Sequence, residues 1–154
     1  MHLTPKPLLT LLLTLFVLCA EAQLEEKTGA NWQTIGQLKF GGITRSKLQF
    51  TASGQDTTFF LFIKDVREQP KDNYFSITFQ NIDDSFSKLY SILKSFFLEE
   101  NKKNRNYSRT FKLGNKGVNV QYHLLITGRG VRFTTEDGYI YWSEKDIDKL
   151  FGKQ

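Results

Sequence analysis

The chain has 154 residues, of which 14% are aromatic and 24% are charged, and its formal net charge is +5. This length fits one domain behind an N-terminal leader, and so aromatic a composition excludes a disordered chain. A single cysteine excludes a disulfide framework, and the mildly basic charge favours an anionic partner without requiring one.

The first 22 residues have the pattern of a secretory signal peptide. An apolar run from Leu8 to Ala20 leads into Ala20-Glu21-Ala22, which places small residues at the two positions that a signal peptidase requires. The run is shorter than the roughly 20 apolar residues of a membrane-spanning helix. We therefore predict a signal peptide over residues 1–22, a mature domain over 23–154 without a transmembrane segment, and secretion to the extracellular space or the periplasm.

Cys19 offers one alternative to plain cleavage. In a bacterial lipoprotein signal, a cysteine receives the lipid and becomes the first mature residue. Bulky residues, Phe16-Val17-Leu18, stand where that signal uses small ones, so we favour plain cleavage over a lipid anchor. Cleavage after Ala22 removes the only cysteine, and the mature domain must then be held together by its core alone.

The first half of the mature chain predicts four strands and a helix. Alternating apolar residues indicate strands around 38–40, 48–52, 57–66 and 75–79. The third is apolar on both faces around Phe59 to Ile63, which is typical of a central strand. From Asn81 the apolar period lengthens to three and four residues, which predicts a helix from Asp84 to Leu98 with Asp83 and Asp84 as N-terminal caps.

The second half repeats this order of elements. Strands are indicated around 111–113, 118–126, 131–133 and 139–142, and the last two are joined by a hairpin at Asp137-Gly138. Ser143 and Asp146 have the spacing of a capping box. They open a short helix whose apolar residues are Ile147, Leu150 and Phe151.

This order predicts an α+β fold with antiparallel sheets and two helices. One arrangement is a tandem β4-α / β4-α pair, with halves 32–99 and 107–154 joined by a charged linker. The other is a single antiparallel sheet of seven or eight strands with both helices on one face.

Over nearly all of the mature chain, the tandem order resembles the architecture of the Whirly single-stranded-DNA-binding proteins and of the purine-rich-element-binding proteins. The resemblance implies a nucleic-acid binder on a duplicated β4-α scaffold. The short basic motif typical of Whirly proteins has no match in this sequence, so no functional residue of that family is assigned to this chain.

Catalytic side chains are few in the mature domain, which has no cysteine and one histidine, His123. Strand alternation places His123 beside Asn119 and Gln121 and opposite Val118, Val120 and Tyr122, so we expect it on the solvent side of the sheet or at an edge between sheet and helix. One alternative makes it the general base of a small hydrolase, although no Gly-x-Ser-x-Gly elbow accompanies it. Without cysteine pairs or a His-x-x-x-His spacing, the sequence predicts no metal site and no cofactor.

Basic residues concentrate in the linker and in the strand after it. The cluster comprises Lys102, Lys103, Arg105, Arg109, Lys112 and Lys116, with Arg129 and Arg132 beside a nearby glycine-rich turn. Two aromatic residues within it, Tyr107 and Phe111, favour stacking on ligand rings while the cations contact phosphates or sulfates. The run also fits a solvated linker, and the glycosylation sequon Asn106-Tyr107-Ser108 indicates that it is exposed.

We therefore expect a secreted or periplasmic, non-enzymatic binding domain whose partner is a protein or an anionic ligand. Its binding residues would be the basic linker and side chains of the sheet: Tyr122, His123, Tyr139, Tyr141 and Trp142. Two alternatives stay open, an anionic-polymer or nucleic-acid binder on a duplicated β4-α scaffold, and a small hydrolase that uses His123. An unpaired sheet edge would also allow a homodimer.

Overall fold

The computed structural model describes residues 31–67 and 73–153. The predicted signal peptide, residues 1–22, and Cys19 within it lie outside the described residues. From Asn31 onward the chain forms one compact unit. No helix in the described ranges is long and apolar enough to cross a membrane.

In these residues eight strands form two antiparallel sheets, and each sheet is followed by a helix. The first half contains β1 Gln33–Phe40, β2 Ile43–Ser53, β3 Asp56–Lys64, β4 Tyr74–Gln80, a 3-10 turn Ile82–Asp84 and α1 Ser85–Ser95. The second half contains β5 Ser108–Leu113, β6 Lys116–Leu125, β7 Gly128–Thr134, β8 Tyr139–Ser143 and α2 Glu144–Leu150. The strand orders are β1-β2-β3-β4 and β5-β6-β7-β8. The predicted α+β fold with tandem β4-α order is confirmed, and the alternative of one continuous sheet is wrong.

The inner faces of the two sheets share one core. β3 lies between β2 and β4 as predicted, and it buries Phe59, Leu61 and Ile63 on one side. In the second sheet, β6, β7 and β8 bury Val118, Val120, Val131, Phe133, Ile140 and Trp142. Both sets belong to the same hydrophobic cluster. Because side chains alternate along a strand, the outer face of each sheet carries the remaining polar and half-exposed residues.

The first helix begins one residue later than predicted and is capped by a different side chain. Asp83 and Asp84 have left-handed backbone conformations, with φ of 51° and 57°, and neither side chain accepts a cap hydrogen bond from the helix. Instead, Oδ1 of Asn81 accepts from the backbone N–H of Phe86 at 3.2 Å. The prediction that the two aspartates cap α1 is wrong, because neither carboxylate accepts a backbone N–H of the helix; Asp84 Oδ1 accepts from the Ser87 hydroxyl at 2.9 Å instead.

The second helix joins the two halves. Its predicted capping box is confirmed: Ser143 Oγ accepts from the Asp146 N–H at 3.2 Å, and Asp146 Oδ2 accepts from the Ser143 N–H at 2.9 Å. α2 packs against β1 and β2 of the first sheet as well as against β8. At Gly36 of β1, a Cβ atom would lie 2.2 Å from the carbonyl oxygen of Lys149, so only glycine allows so close an approach.

Charged side chains also connect α1 to α2. Nζ of Lys94 lies 2.6 Å from Glu144 Oε1 and 3.0 Å from Asp148 Oδ1, and the Tyr90 hydroxyl donates to Asp148 at 2.8 Å. Partial burial acts to lower the pKa of Lys94, but the two carboxylates outweigh it and raise that pKa above its usual range. Burial and the Asp148 carboxylate both raise the pKa of Tyr90.

Two buried polar contacts fix the first sheet to the second. Nε1 of Trp142 donates to Ser46 Oγ at 3.0 Å. The buried carboxylate of Asp65 accepts from Nε of Arg67 at 2.5 Å and from the backbone N–H of Tyr139 at 3.2 Å. Burial acts to raise the pKa of Asp65, but these hydrogen bonds outweigh it and hold the pKa below its usual range.

The sheet edges bear on the predicted homodimer. β1 and β4 are the edges of the first sheet, and β5 and β8 are the edges of the second. β4 and β5 meet within the chain, since a Cβ on Gly114 in the β5–β6 turn would lie 2.1 Å from the Thr78 carbonyl oxygen. Pairing between copies through an edge stays a prediction.

Candidate functional site

The outer face of the second sheet presents two rows of polar and aromatic side chains. Antiparallel pairing aligns one row across the strands as Ser108, Gln121, Arg132 and Tyr141. The neighbouring row is Thr110, Asn119, Thr134 and Tyr139. Directly opposite residues on one face of a sheet lie close enough to contact one ligand together.

Four side chains on this face touch one another. The rings of His123 and Tyr141 stack with centroids 4.1 Å apart, and Tyr139 meets Tyr141 edge-on at 5.4 Å. The guanidinium carbon of Arg132 lies 5.3 Å from the Tyr139 ring centre, within cation–π range. The predicted solvent-side position of His123 is therefore confirmed, and it lies together with Tyr139 and Tyr141.

Arg132 is the cation at the centre of this cluster. Its Nε donates to Thr134 Oγ1 at 3.3 Å, and no carboxylate in the described residues forms a salt bridge with it. Burial and a hydrogen bond with Tyr139 raise the pKa of Tyr141, so its hydroxyl stays a neutral donor near pH 7. A half-buried guanidinium beside neutral hydroxyl donors is suited to holding an anion.

The four strands of the second sheet contain no aspartate or glutamate. Their charged residues are all basic: Arg109, Lys112, Lys116, Arg129 and Arg132. Lys116 is neutralised by Glu136 at 2.7 Å and Asp137 at 2.9 Å in the β7–β8 turn. The remaining cations give the sheet a positive potential that nothing on its strands offsets.

The structure brings part of the basic linker to the edge of this face. A surface pocket of about 240 Å³ is lined by Arg105, Asn106, Tyr107, Ser108, Gln121 and Tyr122. Ser108 and Gln121 belong to the row that ends at Arg132 and Tyr141. Arg109 donates to the Tyr107 hydroxyl at 3.3 Å, which holds the linker against β5.

The other linker cations have different surroundings. Lys102 forms a salt bridge with Glu99, whereas Lys103 points into solvent. Lys112 is exposed on β5, on the outer face, because its neighbours Phe111 and Leu113 face the core. The predicted cluster is therefore divided: Arg105 and Lys112 are its members nearest the outer face, whereas Arg109 pairs with the buried Val120 and lies on the inner side of β5.

Four predicted site residues lie on the inner side of the sheet: Trp142, Tyr122, Arg129 and Arg109. Trp142 is only 1% exposed and belongs to the core, so its predicted place on the binding surface is wrong. Tyr122 is half-buried against the core, and the guanidinium carbon of Arg129 lies 5.9 Å from its ring centre. The reason is alternation: Trp142 adjoins Tyr141, and Tyr122 adjoins His123, so members of each pair must point to opposite faces.

The surroundings of His123 do not favour a hydrolase. Within the described residues its ring makes no hydrogen bond to a serine or a carboxylate, and its close neighbour is the Tyr141 ring. Ser143, two residues along β8, is engaged in the α2 capping box. A general base needs a proton donor within hydrogen-bond reach, and none is positioned here. Nor does this part of the chain contain three clustered metal-binding side chains.

Sequence reasoning undervalued one residue and missed one surface. The sequence shows Arg132 only as a residue close to a glycine-rich turn. Strand pairing places it opposite Tyr141, where its guanidinium contacts the Tyr139 ring. The outer face of the first sheet also carries aromatic rings, at Phe60 and Phe62. The sequence pattern could have placed Phe60 and Phe62 on the outer face, because both alternate with the core residues of β3.

Comparisons of the chain with protein-family models, with curated proteins and with solved structures give no match. Geometry and charge of the surface therefore carry the functional inference.

Proposed function

We propose that the protein is a non-enzymatic binding domain that holds an anionic ligand on the outer face of its second sheet. The observation that supports this most directly is the placement of Arg132 among Tyr139, Tyr141 and His123 on strands without a carboxylate. Arg132 supplies charge and paired N–H donors, and the hydroxyl and amide side chains of the two rows supply further hydrogen bonds.

Replacing Arg132 with glutamine should weaken binding of heparin, a sulfated polyanion, by about tenfold or more, because a hydrogen bond to a charged group contributes about 1.5–3 kcal/mol. Binding of the unmodified protein should also weaken steeply as salt rises. Isothermal titration calorimetry over a series of sodium chloride concentrations measures both effects.

Lys88→Gln is the matched control, since it removes the same charge from an exposed position on α1. Equal losses in the two variants would show that only net charge matters, and the site would be wrong. Affinity that does not change with salt would favour recognition of a neutral protein partner instead.

We also propose that the domain acts outside the cytoplasm, in the extracellular space or the periplasm. The support is the signal-peptide pattern of residues 1–22. N-terminal sequencing of the exported protein should give Gln23 as the first residue. A first residue at Cys19 carrying lipid would favour the anchored alternative, and an unprocessed Met1 would contradict both.

A further inference from the structure

The outer face of the first sheet carries a second aromatic surface. Phe60 and Phe62 of β3 point away from the core that Phe59, Leu61 and Ile63 fill. Trp32 contacts the Phe60 ring at 5.6 Å. Tyr74 stacks on Phe62 at 4.8 Å with an interplanar angle of 12°. Trp32, Phe60 and Phe62 are half-buried and Tyr74 is 39% exposed, so these rings leave an apolar area on the solvent side of the sheet, where a ligand can contact them.

Hydrogen-bonding side chains surround these rings. One cross-strand row is Thr34, Gln49, Phe60 and Thr78, and the next is Gln37, Lys47, Phe62 and Ser76. Strands β1, β2 and β4 contain no carboxylate, and the single one in β3, Asp56, lies at the hairpin end. This surface is therefore weakly basic and rich in hydroxyls and amides.

A groove connects this surface to the second sheet. It has a volume of about 500 Å³ and is lined by Thr58, Thr78, Phe79, Gln80, Ile82, Ser85, Lys112, Leu113 and Gly114. Thr78 is the direct cross-strand partner of Phe60, and Lys112 belongs to the outer face of the second sheet. The groove thus lies beside the contact between β4 and the end of β5, and it has an outer-face residue of each sheet, Thr78 and Lys112, in its lining.

The cations along this path are far apart. Arg132 lies two strands from β5, opposite Ser108, and Lys112 is four residues further along β5. With strands about 4.8 Å apart and a rise of about 3.4 Å per residue, the two positions are separated by about 17 Å. One phosphate or sulfate group cannot contact both, so a ligand that uses both must be a polymer.

We propose that the two outer faces and the groove form one continuous track for an acidic polysaccharide. This rests on the proposed function and extends it from an anion site to a polymer track. Arg132, Lys112 and Lys47 would contact widely spaced acidic groups, and the hydroxyl and amide side chains would bind sugar hydroxyls. Phe60 and Trp32 would pack against the apolar C–H faces of the sugar rings.

The sparse cations favour a polysaccharide over a nucleic acid. A nucleic acid carries a phosphate at every unit, and its binding sites neutralise several of these with closely spaced lysines and arginines. On this track, uncharged threonine, serine and glutamine outnumber the basic residues in every row between Lys47 and Lys112. An acidic glycan, with many hydroxyls for each acidic group, matches that ratio.

The test compares a hyaluronan disaccharide with a hyaluronan decasaccharide by isothermal titration calorimetry, because hyaluronan has one carboxylate per disaccharide among several hydroxyls. The decasaccharide should bind about tenfold or more tightly, and Phe60→Ala and Lys112→Gln should each remove most of that gain while leaving disaccharide binding unchanged. Phe40→Ala is the matched control, because Phe40 is 77% exposed at the end of β1 and does not line the groove. It should not change either affinity.

Two further probes separate the possible ligands. Long-chain polyphosphate has no rings, so its binding should respond to Arg132→Gln but not to Phe60→Ala. Equal affinities for the short and long glycans, or no effect of Phe60→Ala, would overturn the track and leave the Arg132 site standing. An oligothymidylate that binds more tightly than the decasaccharide would assign the track to nucleic acid and overturn the polysaccharide proposal. If Arg132→Gln is the only variant that abolishes binding of every probe, the result supports the Arg132 site of the proposed function and contradicts the track.

Discussion

Replacing Gly36 with alanine should lower the free energy of unfolding by about 3 kcal/mol or more. The new Cβ atom would lie 2.2 Å from the Lys149 carbonyl oxygen and 2.4 Å from that of Leu150, and neither backbone atom can rotate away. Relief requires α2 to move off β1, which loosens the burial of Ile147 and Leu150. Chemical denaturation with guanidinium chloride measures the change.

Gly117→Ala is the matched control for this prediction. Gly117 also lies in a strand, and a Cβ atom there would have no neighbour within 4 Å. Its replacement should change the free energy of unfolding by less than about 1 kcal/mol. If Gly36→Ala were equally harmless, the packing of α2 on β1 would be wrong.

Replacing Trp142 with alanine should destabilise the domain by about 3–5 kcal/mol, or prevent folding. The indole is buried, it packs against Phe133 with centroids 4.9 Å apart, and its Nε1 binds Ser46 on the first sheet. Truncation leaves a large cavity and removes the hydrogen bond that the buried Ser46 hydroxyl makes across the sheets. The free energy of unfolding from denaturant titration tests this, with thermal unfolding as a second readout.

The adjacent residue provides the control. Tyr141→Ala, on the outer face of the same strand, should cost about 1 kcal/mol or less in stability and should instead weaken heparin binding. A stable Trp142→Ala variant that has lost heparin binding would contradict the placement of the indole in the core and return it to the binding surface.

The order of elements could be predicted because it depends on local periodicity. Alternation located every strand, and the capping-box spacing of Ser143 and Asp146 located the start of α2. The choice between two sheets and one continuous sheet could not be made from the sequence, since it depends on which edges pair, and pairing is a long-range property. The caps of α1 were misassigned because sequence does not reveal that Asp83 and Asp84 adopt left-handed backbone conformations.

The candidate site was predictable in part. Alternation alone places His123, Tyr139 and Tyr141 on one face, and applied consistently it would have excluded Trp142 and Tyr122. Register decides the rest: Arg132 joins the cluster because it pairs with Tyr141 on one side and Gln121 on the other. The groove beside Lys112 forms where an edge of one sheet contacts an edge of the other. No local sequence pattern predicts such a contact.

The packing of α2 on β1 has a consequence for how the domain folds. These elements stand at opposite ends of the described chain, so the surface of β1 that α2 covers stays open until the last helix has been synthesised. Contacts between such distant segments make folding slow, and the apolar side chains of the first sheet that lie under α2 stay exposed to solvent until that helix docks. A chain released from the ribosome before residue 143 would leave the surface around Gly36 uncovered, so we expect it to aggregate more readily than the full chain.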